Sequence, residues 1–114
     1  IENGYALGKR ALDECADHLP EAFIVASDTL SVGVLQAFNE EGVIVPRDTA
    51  VISINNSEVA RYVSPPLSSY NINQETLGRM AVKLLQDLIV HPGRPHVHLT
   101  VNTDLVIRKS FTDK

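Results

Sequence analysis

Two stretches of this chain each run from a β-rich segment into a burst of polar residues. Ala22-Phe23-Ile24-Val25-Ala26 is followed by Ser27-Asp28-Thr29. The segment from Thr49 to Ile54 (TAVISI) is followed by Asn55-Asn56-Ser57. A short apolar run bounded by turn residues reads as a buried strand. Between the two, Leu30 to Glu41 has helical spacing, with Ser27-Asp28-Thr29 as N-cap chemistry and Gly42 as a C-terminal stop. A strand, a crossover helix and a neighbouring strand place both polar bursts on one edge of a parallel sheet, because such crossovers are right-handed.

The alternation extends to both ends. Tyr5, Leu12, Cys15, Ala16 and Leu19 form one helical stripe, which Pro20 stops. A helical turn over Glu58 to Tyr62 is broken by Pro65-Pro66, and Leu67 to Ile72 reads as a third strand. Asn73 can cap a long helix to Val90 with the stripe Leu77, Met80, Ala81, Leu84, Leu85 and Leu88, closed by His91-Pro92-Gly93. Val97, Leu99 and Val101 alternate with His98 and Thr100 as in a half-buried strand, and Asp104 to Arg108 continues as another. The fold class is α/β, an open, mostly parallel sheet covered by helices on both faces. At 114 residues, one domain is expected.

Composition removes several function classes. The chain is 44% apolar and 21% charged, which excludes a disordered chain. Its longest apolar runs are about five residues, against the roughly 20 of a membrane span. A net charge of −4 with scattered basic residues argues against binding a nucleic-acid backbone unaided. The single cysteine allows no internal disulfide and suits a reducing, cytoplasmic compartment. The first residues have neither the basic head nor the apolar stretch of a secretory leader. The chain starts with Ile1 rather than Met, as a piece of a longer protein would.

Open parallel sheets bind ligands beyond the carboxyl ends of their strands. Ser27, Asp28 and Asn55 lie there, offering hydroxyl, carboxylate and amide groups that suit a neutral polyol such as a sugar. The plainer reading is that they cap the next helix or tighten the turn, and both roles can coexist. The glycines fit no dinucleotide or phosphate loop, and no nucleophile elbow occurs. Cys15 sits on an apolar stripe and reads as core. His91, His96 and His98 have no carboxylate or thiolate beside them, so neither metal nor cofactor is expected. The helix after Asp28 is two-faced: Leu30, Val34, Ala37 and Phe38 share one side, while Val32 and Leu35 lie nearly opposite with Asn39. Aliphatics on an outer face point to a second contact, either with another protomer or with a further piece of the same protein, unless they are the isolated exposed aliphatics that are common on any surface.

The segment AFIVASDTLSVGVLQAFNEEGVIVPRDTAVISINNSEVARYVSPPLSSYNINQETLGRMAVKLL resembles the effector-binding core of the lac repressor / galactose repressor family of bacterial transcription regulators. The likeness runs from Gly4-Tyr5 through Ser27-Asp28, Gly33, Gly42 to Pro46, Asn55-Asn56, Ala60-Arg61-Tyr62, Pro65-Pro66-Leu67 and Gln74 to Gly78, to the closing LVIRKS. It implies one lobe of a type I periplasmic-binding-protein-like fold, forming the C-terminal portion of an effector-binding domain over residues 1–114. Residues 74–96 would belong to the other lobe. It implies a sugar-responsive repressor, not an enzyme, that reaches operator DNA only through an N-terminal head absent from this chain and acts as a homodimer. A sugar-binding protein of a transport system, sharing the same body, is the alternative. By resemblance Ser27, Asn55 and Gln74 face the effector, Asp28 starts the helix, and Val32, Leu35, Val63, Ser64 and Pro65 lie in the dimer interface; with Asp28 kept from the strand-end reading, the expected ligand-binding set is Ser27, Asp28, Asn55 and Gln74. Asn55 stands where the family commonly has Asp, and Ile54 where it commonly has an aromatic. The amide keeps hydrogen-bond acceptance and loses the charge.

Overall fold

The computed structural model describes residues 1–112. Its elements are α1 (Glu2–Glu14), β1 (Ala22–Ile24), α2 (Asp28–Glu40), β2 (Ala50–Asn55), α3 (Val59–Tyr62), β3 (Ser68–Asn71), α4 (Gln74–Val90) and β4 (Asp104–Val106). They fall into two compact units, Ile1–Asn71 with the segment from Asp104 onward, and Ile72–Thr103.

The first unit is built on an open four-stranded sheet in the order β1-β2-β3-β4. β1, β2 and β3 are parallel, with Ile24 beside Ile52 and Asn55 beside Asn71. β4 is antiparallel to β3. The core is Val34, Leu35, Phe38, Val51, Ala60 and Leu67. Phe23 meets Phe38 edge-on with ring centroids 5.3 Å apart, a favoured aromatic geometry. Ser110 straps the C-terminal segment to the sheet: its hydroxyl donates to the Val51 carbonyl at 2.5 Å and accepts from the Ser68 N–H at 2.8 Å.

Four departures from the sequence reading have physical causes. α1 ends at Glu14 rather than Leu19, and Ala16 is exposed. The residue before a proline avoids helical dihedrals, which excludes Leu19; the helix has already ended at Cys15, whose N–H makes the last helical bond to the Ala11 carbonyl, and a tighter turn follows with the His18 N–H on the Cys15 carbonyl. The buried positions of α1 are Gly4 and Gly8. A methyl group on Gly4 would collide with the Leu30 carbonyl, and one on Gly33 with the backbone of Ile1 and Tyr5. The α1 and α2 backbones therefore touch, and Tyr5 adds a 2.5 Å hydrogen bond to Glu40.

The second departure is Leu35, which is buried in the core of this chain rather than displayed on an outer face. The chain after α3 covers it, with Val63 packed against the same cluster. The third is β1: Ile24 is 74% exposed, because the core helices cover the opposite face of the sheet. The fourth is Val97 to Val101, which forms no strand and leaves Val97 and Leu99 exposed. Alternation alone cannot hold a strand that lacks a neighbour for its backbone groups.

The second unit is dominated by α4. Asn73 caps it by accepting from the Thr76 N–H at 3.0 Å. Glu75 pairs with Arg79 and Asp87 with Arg94. No residue of α4 is buried, and Leu77, Leu85 and Leu88 of its stripe are exposed.

Candidate functional site

β1, β2 and β3 are parallel, so their carboxyl ends share one edge, and the polar bursts after β1 and β2 meet there. Ser27 is extended, with φ −158°, and caps α2 by accepting from the Leu30 N–H at 3.2 Å. Asp28 opens the helix and is buried, 1% exposed. Its carboxylate accepts from the hydroxyls of Ser53 and Ser69, from the Ser57 N–H at 2.5 Å and from the Ser57 hydroxyl at 2.8 Å. Burial pushes the Asp28 carboxyl up, but the hydrogen bonds from Ser53, Ser69 and Ser57 outweigh it and hold it below the usual carboxylate range. The helix N-terminus favours the same anionic form.

The polar partners of Asp28 among the described residues are all serines of the following strands and loop. A carboxylate accepts about four hydrogen bonds, and Asp28 receives all four from the protein. Its action is on the loop after β2. Asn55 has φ +112° and Asn56 φ +52°, a region that non-glycine residues avoid and Asn tolerates best. The turn is held by Asp28 on the Ser57 N–H and by the Ser69 hydroxyl, which accepts from the Asn56 N–H at 2.9 Å.

A second set of contacts holds the same loop. The Arg108 guanidinium donates to Asn56 Oδ1 at 2.7 Å and to the Leu67 carbonyl at 2.8 Å. Asn56 Nδ2 in turn donates to Asn71 Oδ1 at 3.1 Å. The Asn55 side chain is half-buried, and no side-chain hydrogen bond among the described residues engages it. Asn55 thus lies beside Asn71 in the sheet register, next to a loop held by Asp28 and Arg108, while Ser27 caps α2 after the adjoining strand β1. Amides and a hydroxyl in that arrangement can both donate to and accept from a neutral polar ligand.

Ser53, Ser69, Asn71 and Arg108 were not legible as part of this site from sequence spacing. Ser53 and Ser69 did leave a signal, since a serine inside a buried strand needs a partner. Gln74 is the exposed first residue of α4 and lies in the second unit. Val32, Leu35, Val63, Ser64 and Pro65 line adjoining shallow grooves beside α2, with Leu35 at their base. Cys15 is half-buried just beyond α1. Among the described residues, no group of three His, Cys, Asp or Glu side chains could hold a metal ion, and no helix is long and apolar enough to cross a membrane.

A family model described as a periplasmic binding protein-like domain matches residues 1–111. The HTH-type transcriptional regulator LacR of Lactobacillus helveticus is 60% identical over 111 residues, which are 97% of this chain and 33% of that protein. The HTH-type transcriptional regulator GanR of Bacillus subtilis (strain 168) is 43% identical over 111 residues, 97% of this chain and 34% of that one. The solved complex of the transcriptional regulator CelR with cellobiose superposes with a TM-score of 0.84 at 33% identity, covering 95% of this chain and 32% of that chain. This chain therefore spans about a third of the length of these relatives. On its fold, its strand-tip residues and these matches, it belongs to the periplasmic binding protein-like domain family, in the lac repressor / galactose repressor group of transcription regulators.

Proposed function

We propose that this chain is the effector-binding portion of a cytoplasmic, sugar-responsive bacterial transcription repressor, and that it acts by binding rather than catalysis. The strand tips supply one wall of a saccharide site, with Ser27, Asn55 and Asn71 facing the ligand and Asp28 positioning them. The observation that carries this reading is the loop after β2. Two consecutive asparagines are held at positive φ by a buried carboxylate, and one keeps its amide unengaged. Strain of this kind costs about 1–3 kcal/mol per residue and persists where the surroundings over-determine it, commonly at ligand sites. The CelR relative, solved with cellobiose, supports a saccharide as the ligand class.

Residues 74–96 are assigned to the second lobe of the intact regulator, supported by an α4 stripe that buries no residue within this chain. Operator DNA is contacted through a head outside this chain, consistent with the acidic balance here. The grooves lined by Val32, Val63, Ser64 and Pro65, with Leu35 beneath, are assigned to the homodimer contact. Saccharide binding favours one lobe arrangement over another, and a coupling of about 1–3 kcal/mol changes operator affinity by roughly 5–150-fold. The HTH-type names of the relatives favour this over a transport-system binding protein. The test is operator binding by the full-length protein, followed by fluorescence anisotropy during titration with cellobiose, lactose, galactose and glucose. At least one should release the DNA, and release should weaken in Asn55→Ala. A protein whose operator binding ignores every sugar contradicts the proposal.

A further inference from the structure

Arg108 has no carboxylate within ion-pair distance among the described residues, yet its guanidinium is oriented by two firm contacts. An arginine side chain can only donate. Whatever faces it must present an acceptor, so Asn56 turns Oδ1 toward Arg108 and Nδ2 away. Asn56 Nδ2 then requires an acceptor from Asn71, which answers with Oδ1 at 3.1 Å. Asn71 is left with Nδ2 as its outer group, and nothing among the described residues accepts from it. Asn71 ends β3 directly beside Asn55 in the sheet register. The two ends of each amide, otherwise interchangeable, are thus assigned in sequence by one cation.

We propose that Arg108 is a positioning residue for the saccharide site, fixing the Asn56 and Asn71 amides so that Asn71 presents hydrogen-bond donors at the strand tips. This rests on the saccharide reading above and adds a specificity rule to it. The ligand oxygen beside Asn71 accepts there, as a ring or glycosidic oxygen does, or as a hydroxyl whose proton is donated elsewhere. Inverting that single donor leaves two groups mismatched.

A plain brace for β3, through the Leu67 carbonyl, would give Arg108 no influence on ligand choice, and Asn56→Asp separates the two roles. The new carboxylate still accepts from Arg108, with a charge-assisted bond. Its other oxygen now faces Asn71, which must turn Nδ2 inward and Oδ1 outward. The experiment is calorimetric titration of the full-length protein with cellobiose, lactose, galactose and glucose, paired with urea denaturation. Wild type should bind at least one sugar. Asn56→Asp should keep or raise the urea midpoint while losing about tenfold or more in affinity, as should Asn71→Ala. Arg108→Leu should lose affinity as well, and should add no further loss to Asn71→Ala. Should Arg108→Leu fail to fold, the other two variants decide the matter. Affinities of Asn56→Asp and Asn71→Ala within twofold of wild type, with Asn55→Ala still defective, overturn the role of Arg108 and leave the saccharide site standing. A wild-type protein that binds none of the four removes the saccharide reading and this inference together.

Discussion

Replacing Asp28 with Asn tests the framework beneath the site. The substitution keeps shape and removes one proton-accepting oxygen together with the charge. In one orientation the new NH2 faces the Ser57 N–H, a donor that cannot turn. In the other it faces the hydroxyls of Ser53 and Ser69, which can rotate to accept but then lose their own acceptor. The second is less damaging, and it converts the Ser57 bonds from charge-assisted to neutral. Hydrogen bonds to charged groups contribute about 1.5–3 kcal/mol and neutral ones about 1, so the net loss should be about 1–3 kcal/mol. The pH dependence follows from the depressed Asp28 pKa. A carboxylate with a lowered folded pKa contributes stability that is complete above its unfolded value near 3.9, and that stability fades as pH falls through the folded value. Urea denaturation of wild type and Asp28→Asn should show a constant gap above about pH 5 that narrows below about pH 4. A variant equal in stability to wild type at pH 7, or a gap unchanged down to pH 2, would refute the role assigned to this carboxylate.

Substitutions at Asn55, Gly33 and the groove beside α2 give further expected outcomes. Asn55→Ala should lose about 1–3 kcal/mol of saccharide binding in calorimetry, the value of one reading hydrogen bond. Asn55→Gly should lose binding equally but be no less stable in urea, since glycine adopts positive φ freely. Gly33→Ala should cost about 1–3 kcal/mol or more in urea denaturation, because the α1 backbone leaves no room for a methyl group. If the groove beside α2 is the proposed homodimer contact, Val32→Asp should give a monomer on a sizing column with its urea midpoint kept, whereas Leu35→Asp should act on folding, because Leu35 is a core residue.

What the sequence disclosed was largely local. Ser27 announced the start of α2, Gly42 its end, and Asn73 the start of α4, because a cap acts within three or four residues. The β1-α2-β2 crossover followed from the same signals and brought Ser27 and Asn55 to one edge. The role of Asp28 was hidden, because its partners Ser53 and Ser69 are 25 and 41 residues away. Arg108 was hidden for the same reason, being 52 residues from Asn56. The α1–α2 contact escaped an apolar-stripe reading because Gly4, Gly8 and Gly33 pack by having no side chain. The burial of Leu35 was hidden because helical angle alone does not say where the chain after α3 will run.

The claim on which the rest depends is that the carboxyl tips of β1, β2 and β3 face a saccharide. A crystal structure of the full-length protein with its tightest-binding sugar tests it directly. Sugar oxygens should lie within about 3.2 Å of the side chains of Ser27, Asn55 and Asn71, with Asp28 bonded only to its serines. A sugar seated elsewhere, with these three side chains in contact only with solvent or protein, would contradict it.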